Sequence, residues 1–172
     1  ILRVRGLYRE FADADPLFDP PVSTFEPTKK EANVGNINTL PGRDVFYVDM
    51  RVLPHYSLDT VLGRIQDLGR EVEREHGVSI AYATVQREQA APPTPPDAEI
   101  VAKTVAAIRR VYGGEPKPVG IGGGTVAAFL RRRGHQAVVW ATLNHFAHQP
   151  NEQSSIAATI NDAKVMGLVL LG

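Results

Sequence analysis

The sequence contains no cysteine, and this absence narrows the chemistry that the chain can perform. Disulfide bonds, thiolate catalysis and cysteine-ligated zinc are all excluded. Histidine, aspartate and glutamate are the strong metal ligands that remain, and the 172 residues include only five histidines. Any metal ligand in this chain must come from these three residue types.

The chain also lacks an excess of charge of either sign. Nineteen basic residues balance nineteen acidic ones, which gives no electrostatic basis for binding nucleic acid or an anionic membrane. No apolar run approaches the roughly 20 residues of a membrane span. An apolar fraction of 43% is ordinary for a globular protein with a packed core. A cytoplasmic protein without nucleic-acid or membrane partners is the expectation.

The first residue is Ile1, and no charged-then-apolar signal segment follows it. Translation rarely starts without methionine. We therefore expect the chain to be the C-terminal part of a longer protein.

The first half of the chain predicts helix, strand, strand, helix and strand in that order. Proline ends the first helix, alternation of apolar and polar residues marks the strands, and apolar residues at helical spacing mark the second helix. The elements are residues 1–11, 23–32, 44–53, the helix from Ser57 to Gly77, and residues 78–85. This order is a ferredoxin-like sandwich that lacks its first strand.

Four prolines in residues 89–96 indicate a stiff connection between two domains. The predicted domains are therefore residues 1–88 and 89–172. In the second we expect helices from Asp97 to about Tyr112, from Thr125 to Arg133 and from Ser154 or Ser155 to near Leu171, with a buried strand at residues 137–142. This alternation favours an α/β layer, so the fold class of the whole chain is α/β, or α+β.

The segment GIGGGT, residues 120–125, precedes a predicted helix. Glycines allow a tight turn and the close approach of a ligand, and a helix N-terminus attracts anions. No lysine follows Gly124, so the segment is not a P-loop. Two interpretations remain open. The segment is either a plain turn before a helix or a loop that holds a carboxylate with the help of the Thr125 hydroxyl.

The segment ATLNHFAHQPNE, residues 141–152, follows the predicted strand, where open α/β sheets usually bind their ligands. His148 is the candidate metal ligand in this loop, although a solvated or hydrogen-bonded structural histidine is the alternative. Glu152 fits helix capping or support of His148 better than direct metal binding. We assign no role to His145.

Three segments together resemble a known family: STFEPTKKEANVGNINTLPGRDVFYVDMRVLP (residues 23–54), GIGGGT and AHQPNE. They resemble the dinuclear-zinc metallopeptidases and deacylases that include succinyl-diaminopimelate desuccinylase, acetylornithine deacetylase and the aminoacylases. The likeness is strongest to archaeal desuccinylase-like members. It extends in the same order over nearly all of the chain.

The resemblance implies a catalytic α/β domain interrupted by a smaller ferredoxin-like lid, through which two subunits usually dimerise. Residues 1–88 would then be the lid and dimerisation domain, incomplete at its start. Residues 89–172 would be the C-terminal part of the α/β zinc-peptidase catalytic domain. A homodimer is expected, and the N-terminal half of the catalytic domain would lie outside this chain.

The resemblance also implies roles for residues of the second half. His148 matches the final zinc ligand of the family. Gly123, Gly124 and Thr125 match the loop that binds the carboxylate of the substrate. In the complete enzyme two zinc ions per subunit are expected, and cobalt or manganese could replace them.

Two residues of the first half match substrate-binding positions of the family. Asn38 matches a lid asparagine that contacts substrate, often from the opposite subunit. Arg51 matches an arginine that helps to hold the anionic group of the substrate. From the residues alone, Asn38 could be a turn residue and Arg51 a solvated strand residue.

The remaining zinc ligands of the family come from an H-x-D motif, a bridging aspartate and a Glu-Glu pair, and this chain has neither H-x-D nor Glu-Glu. The resemblance implies that the complete enzyme hydrolyses the amide bond of N-acyl amino acids, such as succinyl- or acetyl-diamino acids, or of small peptides, with a zinc-activated water. We predict no catalytic residue in the chain itself and expect the fragment alone to be inactive.

Two other hypotheses remain open. The chain could be a non-catalytic dimerisation or binding module related to the same family. It could also be a domain that binds a carboxylate or a phosphate at the GGGT segment.

Overall fold

A computed structural model describes residues 1–143, 147 and 149–172. The helices are α1 (Leu2–Arg5), α2 (Leu58–His76), α3 (Glu99–Tyr112), α4 (Ala127–Arg132) and α5 (Ile156–Leu171), and a 3-10 helix spans Gly6–Arg9. The strands are β1 (Phe18–Asp19), β2 (Thr24–Lys30), β3 (Phe46–Arg51) and β4 (Gly120–Ile121). The chain divides into two compact units, residues 1–90 and 91–172. The protein is a mixed α/β chain with small sheets, as the sequence predicts at that level. None of the helices in the described residues combines the length and the apolar character needed to cross a membrane.

Strands β2 and β3 form the predicted antiparallel hairpin of the first unit. Thr24 lies opposite Arg51 and Lys30 lies opposite Phe46. The register shifts between Pro27 and Lys29, because proline has no N–H to donate to the ladder. Residues 31–44 connect the two strands and are exposed throughout.

Helix α2 begins and ends where the sequence predicts. The Ser57 hydroxyl accepts a hydrogen bond from the Asp59 N–H at 3.2 Å, and Gly77 ends the helix in the left-handed conformation at φ 64°. The buried face of the helix lies against the 3-10 helix and the hairpin. The buried core of this unit consists of Leu7, Phe11, Phe25, Val61 and Leu68.

The prediction of a strand at residues 78–85 is wrong, since these residues have no regular secondary structure. The N–H of Ile80 donates to the Glu73 carboxylate at 2.7 Å instead of to a neighbouring strand. Tyr82 packs on helix α2 at Gly69, where a Cβ atom would lie 1.6 Å from the tyrosine hydroxyl. Side-chain contacts with α2 thus replace the ladder, and this segment does not supply the last strand of a ferredoxin-like sandwich.

The second unit is built on the packing of α3 against α5. Ala107, Ile108 and Val165 form its buried centre, with Val111, Trp140 and Leu168 around them. The Ser155 hydroxyl accepts from the Ala158 N–H at 3.4 Å, so α5 begins at the predicted cap. Helix α3 begins one residue later than predicted, with Ala98 at the N-cap in place of Asp97.

The predicted buried strand at residues 137–142 is also absent, because this segment is half-buried and has no regular secondary structure. Its backbone groups at both ends bind side chains. The Thr94 hydroxyl donates to the Ala137 carbonyl at 2.7 Å, and the Thr142 N–H donates to the Asp162 carboxylate at 2.8 Å. A strand requires a neighbouring ladder, which a local sequence pattern cannot guarantee.

Replacing Val61 with alanine should lower the free energy of unfolding of the first unit by about 2 kcal/mol, because two buried methyl groups are lost and a cavity remains. The matched control is Val85→Ala, since Val61 is 1% exposed and Val85 is 82% exposed. Urea denaturation followed by circular dichroism measures both. Equal losses in the two variants would contradict the assignment of Val61 to the core.

Candidate functional site

The GIGGGT segment forms an open turn between β4 and α4. Gly123 and Gly124 are exposed, and neither has a positive φ angle. A Cβ atom added to Gly123 would lie 3.8 Å from the Ile121 Cδ1 atom and near nothing else. A Cβ atom added to Gly124 would have no other atom within 4 Å. Packing within the chain therefore does not require glycine at these positions, and the backbone is open to a ligand.

Thr125 lies two residues before α4. Its carbonyl accepts from the Ala128 N–H at 3.0 Å. Its hydroxyl oxygen Oγ1 is buried and has no hydrogen-bond partner among the described residues. An unpaired buried hydroxyl costs about 1–3 kcal/mol, so a ligand that accepts from Thr125 would recover this free energy.

Helix α4 is shorter than predicted, at Ala127–Arg132 in place of Thr125–Arg133. The dipole of so short a helix contributes little to binding an anion. The Thr125 hydroxyl and the open backbone before it are therefore the features that suit a carboxylate.

Asn38 and Arg51 lie at opposite ends of the hairpin. Asn38 is in the exposed turn of the connection, where the Thr39 N–H donates to the Asn36 carbonyl at 3.3 Å. Arg51 ends β3 at the far end, roughly 17 Å along the strand from Phe46 at 3.3 Å per residue. The hairpin itself does not bring the two predicted residues together.

The guanidinium of Arg51 is held by a neighbouring carboxylate. Its Nε donates to Asp49 Oδ1 at 2.5 Å and its Nη2 donates to Asp49 Oδ2 at 3.0 Å. The two residues lie on the same face of β3, because side chains alternate along a strand. This forked pair fixes the direction of Arg51, and an anionic ligand would approach a guanidinium that Asp49 already orients.

His148, the predicted metal ligand, and His145 lie outside the described residues. Glu152 is exposed and its N–H donates to the Gln149 carbonyl at 3.2 Å, while Ser155 caps α5. Within the described part of the chain, no three His, Asp or Glu side chains lie close enough together to hold a metal ion. The described residues do not make a metal centre by themselves.

A polar cluster beside this loop, formed by Tyr112, Thr142 and Asp162, is a feature that the sequence reasoning missed. The Tyr112 hydroxyl donates to Asp162 Oδ1 at 2.6 Å, and the Thr142 hydroxyl lies 2.7 Å from the same oxygen. The Thr142 N–H binds Oδ2 at 2.8 Å. A single carboxylate within an apolar helix was the signal in the sequence, but its partners lie 20 and 50 positions away.

Burial alone would raise the pKa of the Asp162 carboxyl. The hydrogen bonds from the Thr142 N–H and from the Tyr112 and Thr142 hydroxyls favour the charged form and outweigh it, so the pKa of Asp162 is lowered. Asp162 is therefore ionised at neutral pH and accepts from all three donors.

Comparison with known proteins identifies the family. The family model "Peptidase family M20/M25/M40" matches residues 8–171. The chain belongs to this peptidase family. It is 37% identical to an uncharacterized metallohydrolase of Methanococcus maripaludis over 172 residues, which are 92% of this chain and 41% of that protein. It is 36% identical to an uncharacterized metallohydrolase of Methanocaldococcus jannaschii over 174 residues, which are 96% of this chain and 42% of that protein.

The resemblance predicted from sequence is confirmed at the level of the family and of archaeal metallohydrolase relatives. The family model is described as a peptidase family, and the two archaeal relatives are described as metallohydrolases. The chain spans about two fifths of the length of the curated relatives that it matches. The described residues contain an open glycine turn and a buried hydroxyl in the second unit, and a guanidinium paired with Asp49 in the first.

Replacing Thr125 with valine should leave the free energy of unfolding unchanged or raise it by up to about 1 kcal/mol, because the change removes a buried hydroxyl without a partner and keeps the shape of the side chain. Thermal denaturation measures this, with Thr125→Ser as the control that keeps the hydroxyl. A loss of more than about 1 kcal/mol in the valine variant would show that the hydroxyl is paired in the folded chain.

Acid should remove the stabilisation that comes from Asp162. Its folded pKa lies below the unfolded value of about 3.9, so its contribution is present above that pH and is lost as pH falls through the folded pKa. The Asp162→Asn variant should be less stable at pH 7 and should lose less stability than the wild type on acidification below pH 4. Denaturant titrations from pH 7 to pH 2 measure this, and parallel curves for the two proteins would contradict it.

Proposed function

We propose that the chain is the C-terminal portion of a metal-dependent amidohydrolase that cleaves the amide bond of N-acyl amino acids, such as succinyl- or acetyl-diamino acids, or of small peptides. Membership of the metallopeptidase family and the two archaeal metallohydrolases support hydrolysis. The observation that carries the substrate class is the buried, unpartnered Thr125 hydroxyl beside an open glycine turn. A free carboxylate of the substrate fits both features.

In this proposal Thr125 donates its hydroxyl proton to an oxygen of the substrate carboxylate. Gly123 and Gly124 let that carboxylate approach the backbone, because a Cβ atom at either position would have only the Ile121 Cδ1 atom within 4 Å. Arg51 attracts an anionic group of the substrate, and Asp49 keeps its guanidinium pointing in one direction. A charge-assisted hydrogen bond is worth about 1.5–3 kcal/mol. These residues select and orient the substrate.

His148 supplies one ligand to the metal, and the remaining ligands and the general base come from parts of the enzyme outside this chain. We propose zinc, two ions per complete subunit, with cobalt or manganese as alternatives. Such an ion lowers the pKa of a bound water to near neutrality. We propose that the chain alone is inactive, because the remaining ligands and the general base would come from outside it.

The first unit is proposed to be the ferredoxin-like lid and dimerisation domain, and residues 89–172 the C-terminal part of the catalytic domain. Asn38 lies in a fully exposed connection, at the end of the hairpin opposite Arg51. We therefore propose that Asn38 reaches the substrate of the partner subunit in a cytoplasmic homodimer.

The second unit carries a surface that suits burial in a larger domain. Helix α5 exposes several apolar side chains besides the face that packs on α3. Ile156 and Leu170 are 81% and 85% exposed. Exposed apolar side chains that lie close together commonly mark a surface that another part of a protein covers. The remainder of the catalytic domain would cover this face.

The full-length protein tests the substrate class. It should hydrolyse N-acetyl and N-succinyl amino acids or dipeptides faster than the same compounds with the free carboxylate converted to an amide. Thr125→Val should lower kcat/KM for the acids about 10- to 100-fold, because one charge-assisted hydrogen bond is lost, and should change little for the amides. Thr125→Ser should behave like the wild type. An equal loss for acids and amides would contradict the role of Thr125.

His148→Ala tests the metal. In the full-length protein this variant should bind about one metal ion fewer per subunit and lose nearly all hydrolysis, because a ligand is removed. His135→Ala, at an exposed position without an assigned role, is the control. Elemental analysis after dialysis and the hydrolysis assay measure the two effects. A wild-type protein that holds no metal and cleaves none of the substrates would favour the non-catalytic dimerisation or binding module.

A further inference from the structure

The segment of residues 137–142 leads into the loop that contains His148, and side chains hold it at both ends. The Thr94 hydroxyl donates to the Ala137 carbonyl at 2.7 Å and lies 3.1 Å from the Ala137 N–H, which donates to it. At the other end, Asp162 binds both the N–H and the hydroxyl of Thr142. No strand ladder fixes this segment, so these two anchors and the packing of Trp140 against the helix pair hold it in place.

The anchor at Thr142 is the more demanding of the two. Three donors converge on one carboxylate, namely the Thr142 N–H at 2.8 Å, the Thr142 hydroxyl at 2.7 Å and the Tyr112 hydroxyl at 2.6 Å. An ionised carboxylate accepts at both oxygens and donates at neither. An amide in its place would turn an N–H donor toward one of these donors. A carboxylate therefore satisfies all three donors at once, whereas an amide could do so only if a hydroxyl turned to accept from it.

The apolar contacts between the two helices do not involve this carboxylate. Helices α3 and α5 pack through Ala107, Ile108 and Val165. The Tyr112 hydroxyl lies 3.2 Å from the Ala158 carbonyl, which offers it a second acceptor. Loss of the carboxylate would leave the helix pair packed and would release Thr142. Loss of Asp162 would therefore mainly affect Thr142 and the segment that it ends.

We propose that Asp162 is a positioning residue, which fixes Thr142 and so sets the point from which the chain enters the loop containing His148. This inference rests on the proposed role of His148 as a metal ligand. His148 follows Thr142 by six positions in the sequence. Asp162 acts through the backbone at Thr142 and does not itself bind metal or substrate.

The test uses the full-length protein with Asp162→Asn, Thr142→Val and Thr142→Ser. Asp97→Asn is the matched control, because Asp97 is exposed in the same unit. Two readouts are needed. Hydrogen exchange of the peptide that covers residues 137–143 reports the anchor, and titration with zinc against a competing chelator reports the metal affinity.

Asp162→Asn and Thr142→Val should exchange faster in that peptide, while peptides of α3 and α5 keep wild-type protection. Both should bind zinc about tenfold more weakly, the lower end of the loss seen when support of a metal ligand is removed. Thr142→Ser keeps the hydroxyl and should restore both readouts. Thr142→Val also provides a milder variant if Asp162→Asn does not fold.

Three results would overturn the inference. Unchanged exchange in both variants would show that Asp162 does not anchor Thr142. Faster exchange with wild-type zinc affinity would show that the anchor does not position a metal ligand, while the proposed function stands. A wild-type protein that binds no zinc would remove the proposed function and this inference together.

Discussion

The hydrogen bonding of the backbone at residues 137–142 is the constraint on which the second unit depends. Buried N–H and C=O groups must be paired, and this segment has no ladder to pair them. Thr94, which precedes α3, pairs the Ala137 carbonyl at one end of the segment. Asp162, within α5, pairs the Thr142 N–H at the other end. The position of the segment therefore depends on the packing of α3 against α5.

In the first unit, the backbone groups of β2 and β3 pair with each other in a hairpin, and the amphipathic helix α2 covers it. This difference explains which predictions succeed. The limits of α2 follow from Ser57 and Gly77, and the hairpin follows from alternation along β3, since both signals are local. Residues 78–85 have the same alternating pattern as a strand, yet Tyr82 packs on Gly69 and Ile80 binds Glu73. Whether an apolar stretch becomes a strand depends on a neighbour that the stretch itself does not encode.

In the candidate site, too, some features can be predicted from the sequence and others cannot. The glycines and Thr125 can be found from the sequence, because they form one continuous motif that matches the family. The unpaired state of the Thr125 hydroxyl cannot be found there, since burial is a property of the folded chain. The role of Asp162 cannot be predicted from the sequence for a related reason. Its partners Tyr112 and Thr142 are brought to it only by the packing of the helices.

Thr125 and Asp162 represent opposite solutions to the burial of a polar group. Asp162 is fully paired within the chain, so it stabilises the fold and a ligand would gain nothing from it. Thr125 is unpaired, so it lowers the stability of the fold and offers free energy to a ligand that accepts its proton. Functional groups commonly carry such a cost, and structural groups do not. The state of its hydrogen bonds therefore distinguishes Thr125, the proposed substrate-binding residue, from Asp162, the proposed positioning residue, even though both lie in the same unit.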